Sequence, residues 1–186
     1  MNQCKWITFL VLIAGGLLGN VACSSPPVTS PKTVTQVDLQ RYIGLWYEIA
    51  KIPNRFQKQC VRNVTASYSF REDGNIKVIN RCLQESGDYE EAQGVARIVD
   101  SQTNAKLEVS FVSVFGKQLF WGAYWIIGLG DSYDYAIIGH PQRKYGWILS
   151  RSPQMETEQL NKLFQILATQ GYDPTQFVIM EQTTDL

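Results

Sequence analysis

The sequence predicts an all-β fold, eight short antiparallel strands followed by a single helix. Three observations predict it. Apolar and polar side chains alternate along short segments, the period of a half-buried strand. Turn-forming residues separate these segments at short, even intervals. No alternation of strand and helix occurs, which argues against a doubly wound sheet. Eight such strands indicate an up-and-down barrel or a sandwich.

The clearest strand covers residues 63–70. Val64, Ala66, Tyr68 and Phe70 share one face, and Thr65, Ser67 and Ser69 the other. Asp73-Gly74 follows, a favoured two-residue hairpin turn, and 76–82 is the return strand. Further strands are expected over 44–52, 93–99, 106–114, 121–129, 135–139 and 145–151. Thr103-Asn104, Gly116, Gly130-Asp131 and the run His140-Pro141-Gln142-Arg143 supply turns between them. After Ser152-Pro153, residues 155–170 carry Leu160, Leu163, Phe164, Leu167 and Ala168 at i, i+3, i+4, i+7 and i+8, the stripe of an amphipathic helix. Glu156 and Glu158 suit the positive end of its dipole, and Gly171 is its C-cap. Asp173-Pro174 breaks the chain, and 177–180 is a short final strand. A lone helix after eight strands can pack outside a barrel and leave the interior free.

Composition narrows the function. A chain of 186 residues favours one domain with room for a core and a cavity. The formal net charge is zero, so no nucleic-acid partner is expected. The one histidine, His140, stands beside Pro141 in a polar turn and reads as a surface residue. No His/Cys cluster has zinc spacing, so neither metal nor cofactor is expected.

Residues 1–22 read as a signal peptide. Lys5 gives a weak positive start, and 6–19 are almost wholly apolar. About 14 residues suit the h-region of a signal peptide, whereas a membrane span needs roughly 20. Cys23, after Ala22 and before Ser24-Ser25-Pro26, resembles the acyl acceptor of a bacterial lipobox, although Asn20 stands where that pattern has an apolar residue. An ordinary signal peptidase acting at Ala22 and Ser24 is the alternative. Either route exports the chain to a compartment that permits disulfides. Residues 23–35 read as a tether and 36–182 as the folded domain.

Three segments carry a family resemblance. Gly44-Leu45-Trp46 matches a G-x-W motif, Ser132-Tyr133-Asp134-Tyr135-Ala136 loosely matches T-D-Y-x-x-A, and Trp147-Ile148-Leu149-Ser150-Arg151 ends on an arginine. In this order, with the helix behind them, they resemble the lipocalin family over nearly all of 34–182. The resemblance implies an eight-stranded antiparallel up-and-down barrel, a calyx with one closed end and an open mouth, with the helix packed outside. It implies binding, storage or transport of a hydrophobic ligand in the cell envelope, without catalysis. Bacterial members are associated with fatty acids, phospholipids and lysophospholipids; a pigment, retinoid or sterol is the alternative ligand. By the same resemblance the N-terminus anchors the protein in the outer membrane, with a secreted or periplasmic form as the alternative, and a homodimer stays open.

The motif residues have a physical task. Trp46 plugs one end of the barrel, and Arg151 can lie across its indole face, a contact of roughly 0.5–2 kcal/mol. Arg151 can also donate to backbone carbonyls at that end. The segment 38–43 is expected as a short 3₁₀ cover.

Alternation then assigns the wall of the calyx. If Trp46 faces inward, so do Glu48, Ala50 and Ile52. If Arg151 does, so do Leu149, Trp147 and Tyr145. The hairpin adds Val64, Ala66, Tyr68, Ile76, Val78 and Asn80, and later strands add Leu107, Val109, Phe111, Tyr124, Ile126 and Ile138. The small side chains of Ala50 and Ala66 leave space for a ligand. Glu48 is the polar exception. Pointing inward, its pKa rises by desolvation, with Tyr68, Tyr124 and Asn80 as hydrogen-bond donors; a bulge after Trp46 turns it to solvent instead. Cys60 and Cys82 could be calyx thiols of an enzyme, but no acid–base partner accompanies them, and a disulfide between them accounts for both. Counted from Asp73-Gly74, residue 82 pairs with about residue 65, so the bridge needs 57–62 to curl back over the rim.

Overall fold

The computed structural model describes residues 29–183. The expected signal peptide, with Cys4, and the expected acyl acceptor Cys23 lie outside the described residues. Within them the chain forms α1 (Leu39–Tyr42), then β1 (Gly44–Lys51), β2 (Cys60–Phe70), β3 (Ile76–Gln84), β4 (Tyr89–Ile98), β5 (Lys106–Ser110), β6 (Val112–Val114), β7 (Lys117–Leu119), β8 (Gly122–Leu129), β9 (Tyr135–Gly139), β10 (Gly146–Ser150), α2 (Thr157–Thr169) and β11 (Val178–Ile179). Neighbours pair antiparallel in the order β1-β2-β3-β4-β5-β8-β9-β10. The sheet closes when β10 returns to β1, from Tyr47 opposite Ser150 to Lys51 opposite Trp147. Closure leaves these eight strands no open edge except where β1 and β2 part beyond Tyr47. The base carries α1 and the turns 71–75, 99–105 and 130–134; the mouth carries 52–59, 85–88, 111–121 and 140–145.

The segment expected as one strand over 106–114 divides. β5 stops at Ser110, whose hydroxyl donates to the Leu119 carbonyl and accepts from the Val112 amide. Those local bonds draw the chain off the barrel ladder, and β6 and β7 form a separate hairpin beyond it. The cover at the base is one α-turn, not 3₁₀: the amides of Tyr42 and Ile43 donate to the carbonyls of Asp38 and Leu39, both at 3.0 Å. Asp38 caps it by accepting from the Gln40 amide at 2.9 Å.

α2 lies on the outer wall. Leu163 and Leu167 are fully buried against Ile127, Ile137 and Ile148. Ala168, expected on this face, is exposed, and Ile166 packs there instead. Gly171 ends the helix at φ +80°, the left-handed backbone that glycine takes at least cost. β11 adds to β1 on the side from which β2 departs. β1 pairs with β2 only from Gly44 to Tyr47, and beyond that Ile179 and Val178 face Ala50 and Lys51. The Gln182 amide seals the gap by donating to the carbonyls of Glu48 and Val64, both at 2.8 Å.

The described half of the expected tether packs on the barrel. Arg143 Nη2 donates to the Thr29 carbonyl at 2.8 Å, and the Val34 amide donates to the Ile126 carbonyl at 3.0 Å. Pro31 and Val37 are buried, and the segment runs from the mouth to the base.

Candidate ligand site

The base of the calyx is built as the motifs require. The Arg151 guanidinium lies 3.9 Å from the centre of the Trp46 indole. Its Nη1 donates to Leu45, and its Nη2 to Arg41, Tyr42 and Ile43, all to carbonyl oxygens at 2.7–3.0 Å. Gly44 is needed beside it: φ is +100°, and a Cβ there would stand 3.2 Å from Arg151 Nη1. Trp46 is fully buried, and its indole N–H donates to the Tyr42 carbonyl at 2.8 Å.

Above this plug the interior is apolar and phenolic. Ala66, Tyr68, Ile76, Val78, Leu107, Ile126, Ile138 and Leu149 form one cluster with Tyr42 and Trp46. Val109, Tyr124 and Trp147 pack against it. The Tyr124 hydroxyl sits 2.7 Å from that of Tyr42 and 3.0 Å from that of Tyr68. Burial raises all three phenols, Tyr68 to about 12, so they remain neutral hydroxyls. Two bonds among three hydroxyls use two protons and leave a third for another acceptor. Asn80 lies opposite Ala66 in the ladder and is half-buried.

Two assigned residues, Ala50 and Ile52, are misplaced by simple alternation. The β1–β10 register slips between Glu48 and Ala50. This bulge turns Ala50 and Ile52 outward, where they pack beneath α2 with Leu163 and Leu167. Ala50 therefore does not line the calyx. The same slip turns Lys51 inward. Lys51 Nζ stands 3.2 Å from Glu48 Oε1, with both side chains almost wholly buried.

Glu48 itself faces inward, but its partners are not the tyrosines or Asn80. Glu48 Oε2 accepts from Gln57 Nε2 at 2.7 Å. Gln57 Oε1 accepts in turn from Trp147 Nε1 at 3.1 Å and from Asn54 Nδ2 at 2.9 Å. Burial raises the Glu48 carboxyl, and Lys51 and Gln57 offset part of that rise. Segment 53–59 thus folds across the mouth and seats Gln57 on a buried ion pair. Beside it is a concavity of about 360 Å³ lined by Lys51, Pro53, Asn54, Arg55, Gln57 and Lys58.

The rim is aromatic. Tyr145 stacks on Trp147 with ring centres 6.1 Å apart, and Phe56 and His140 pack against Tyr145. His140 is thus a rim residue, half-buried, and burial lowers its pKa. Phe111 stands at the rim with its ring over Gly94, where a Cβ would come within 2.7 Å of it. Cys60 and Cys82 are bonded, with Cα atoms 5.4 Å apart. Two irregularities in β2, between Cys60 and Thr65, shift the register and bring the pair into reach.

Lys51, Gln57, Asn54 and Tyr42 were not among the expected site residues. Tyr42 had a signal, an aromatic one helical turn before Trp46. Lys51 is hidden by the bulge, and Gln57 and Asn54 lie in a loop without periodicity.

A closed antiparallel barrel, plugged at one end by Trp46 under Arg151 and lined above by apolar side chains, defines a lipocalin. Residues 37–182 match the lipocalin-like domain family, and the chain belongs to that family. Among its relatives is the outer membrane lipoprotein Blc of Escherichia coli, 39% identical over 166 residues that cover 87% of this chain and 89% of the relative. Apolipoprotein D of Rattus norvegicus is 34% identical over 168 residues, 86% of this chain and 82% of the relative. The structure of insecticyanin from the tobacco hornworm Manduca sexta superposes with a TM-score of 0.66 at 26% identity, covering 85% of this chain and 86% of that one.

Proposed function

We propose that this lipocalin binds a fatty acid or a phospholipid-type lipid in its calyx, at the outer membrane, held there by acylation of Cys23. One observation carries the reading: the interior is graded from apolar and phenolic side chains at the base to cationic and amide groups at the mouth. Such a gradient suits an acyl chain pointing down and a polar head group at the rim. Ala66, Tyr68, Val78, Val109, Ile126 and Tyr124 then contact the chain. Trp147, Tyr145 and Phe111 surround its upper part, and Asn80 offers a polar contact. Arg55 and Lys58, exposed around the mouth concavity, favour an anionic head, while Lys51 is neutralised by Glu48. Burying fourteen methylenes is worth about 11 kcal/mol gross at about 0.8 each. Association costs reduce this, which leaves room for binding near 1 μM, or about 8 kcal/mol.

Gln57 stands in the path, so uptake requires segment 53–59 to withdraw. The relatives' names, outer membrane lipoprotein and apolipoprotein, support a lipid-associated role. Native mass spectrometry of protein extracted gently from its own membrane tests the reading. The expected result is a bound species with the mass of a fatty acid or phospholipid, and a mature chain acylated at Cys23. A chain beginning after Cys23 removes the anchor. A visible absorption band from a co-purified pigment overturns the lipid assignment.

A further inference from the structure

The β6–β7 hairpin stands beyond the barrel at the mouth, and its surface is apolar. Val112, Val114, Phe115, Leu119 and Phe120 are all exposed, Phe115 completely and Phe120 at 82%. Both phenylalanines hold left-handed backbone, φ +48° and +56°, which is uncommon for bulky side chains. At Phe115 the two-residue turn of the hairpin requires it, with Gly116 also left-handed at φ +76°, so the turn holds this ring at the tip. A contiguous apolar patch on a protein surface marks a place where something apolar docks.

The position of the N-terminus says what docks there. Thr29 is held at the same end of the barrel, its carbonyl bonded to Arg143 in the 140–145 turn. Cys23 lies six residues before it. Six extended residues reach about 20 Å. An acyl group on Cys23 therefore keeps the mouth, and not the base, beside the bilayer. Charge on the rim agrees. Arg55, Lys58, Lys117 and Lys144 are exposed at this end, where anionic phosphates attract them. The β3–β4 turn differs, with Glu85 and Asp88 exposed.

We infer that the mouth docks on the phospholipid bilayer that holds the N-terminus, with Phe115 and Phe120 inserted among the lipids and the basic part of the rim on their phosphates. The acidic β3–β4 turn tilts away from the surface. The inference rests on the anchored reading above. It adds an orientation in which a lipid passes between bilayer and calyx without crossing bulk water.

Site-directed fluorescence tests it on the full, acylated chain reconstituted in vesicles of phosphatidylethanolamine and phosphatidylglycerol. Phe115→Cys, Ser86→Cys and Phe70→Cys each carry one environment-sensitive fluorophore; Phe70 is exposed at the base. The expected result is a blue shift at Phe115 and loss of its emission to acyl-chain nitroxide lipids, with neither change at Phe70 or Ser86. Equal behaviour of the Phe115 and Phe70 labels overturns the inference. So does a Phe115 label that is shielded without vesicles in a species sedimenting as a dimer, because the patch then faces a second copy. The N-terminal mass and the bound lipid are read on the same preparation. Quenching at Phe115 in protein that carries no lipid ligand would reject the binding reading and leave the docking intact.

Discussion

Replacing Arg151 by alanine tests the energetics of the closed end. The guanidinium reaches four backbone carbonyls of the segment 41–45 at 2.7–3.0 Å and covers the Trp46 ring at 3.9 Å. Its two terminal nitrogens share these acceptors, so the equivalent of two charge-assisted bonds is a fair count, at about 1.5 kcal/mol each. The ring contact contributes about 1 kcal/mol more, for a total near 4 kcal/mol. In a domain of this size each kcal/mol moves the melting midpoint by about 2–4 °C, so Arg151→Ala should lower it by roughly 8–16 °C. Arg151→Lys retains the charge but loses the planar fork, and about half that drop is expected. Calorimetry and urea denaturation should both be run on delipidated protein, since a bound ligand would mask the loss. A variant within about 0.5 kcal/mol of wild type, the usual range for ordinary surface positions, would refute the reasoning. So would unchanged stability with lost lipid binding, which would place Arg151 in the ligand site.

The other predictions concern the wall and the mouth. Glu48 has a folded pKa raised by burial, so its contribution to stability is fully present below its unfolded value of about 4.3 and is lost as pH rises through the folded one. Glu48→Gln does not titrate and should gain on wild type between about pH 4 and neutrality; a stability difference in urea that stays constant across that window contradicts the raised pKa. Reduction of Cys60–Cys82, which are 22 residues apart, should cost about 3 kcal/mol, and equal melting midpoints with and without reductant would exclude that contribution. Ala50→Leu should destabilise by about 1–3 kcal/mol through overpacking beneath α2 and leave lipid affinity unchanged, as read by titration of tryptophan fluorescence. Gln57→Ala removes the side chain that bridges Glu48 and Trp147 and should speed lipid uptake in stopped-flow fluorescence; an unchanged association rate would mean that segment 53–59 does not gate the mouth.

The fold was legible because its signals are local. Period-two alternation in 63–70, the Asp73-Gly74 turn and the stripe from Leu160 to Leu167 each depend on residues a few positions apart. Trp46 and Arg151 were legible through short motifs, and their stacking follows from the closure of β10 on β1. Most of the wall followed too, since Ala66, Tyr68, Val78 and Ile126 lie where alternation places them. What tertiary structure alone decided is the polar mouth. A one-residue bulge between Glu48 and Ala50 reverses every later side chain of β1, sending Ala50 outward and Lys51 inward. Alternation cannot anticipate a bulge, because nothing in the sequence of a single strand states what its neighbour's register will be. Gln57 finds Glu48 and Trp147 across a loop and a strand pairing, contacts that exist only once the barrel has closed. Nor does sequence alone bring Thr29 and the β6–β7 hairpin to one end: the strands set that by running base to mouth in turn, and Arg143 by holding Thr29 there.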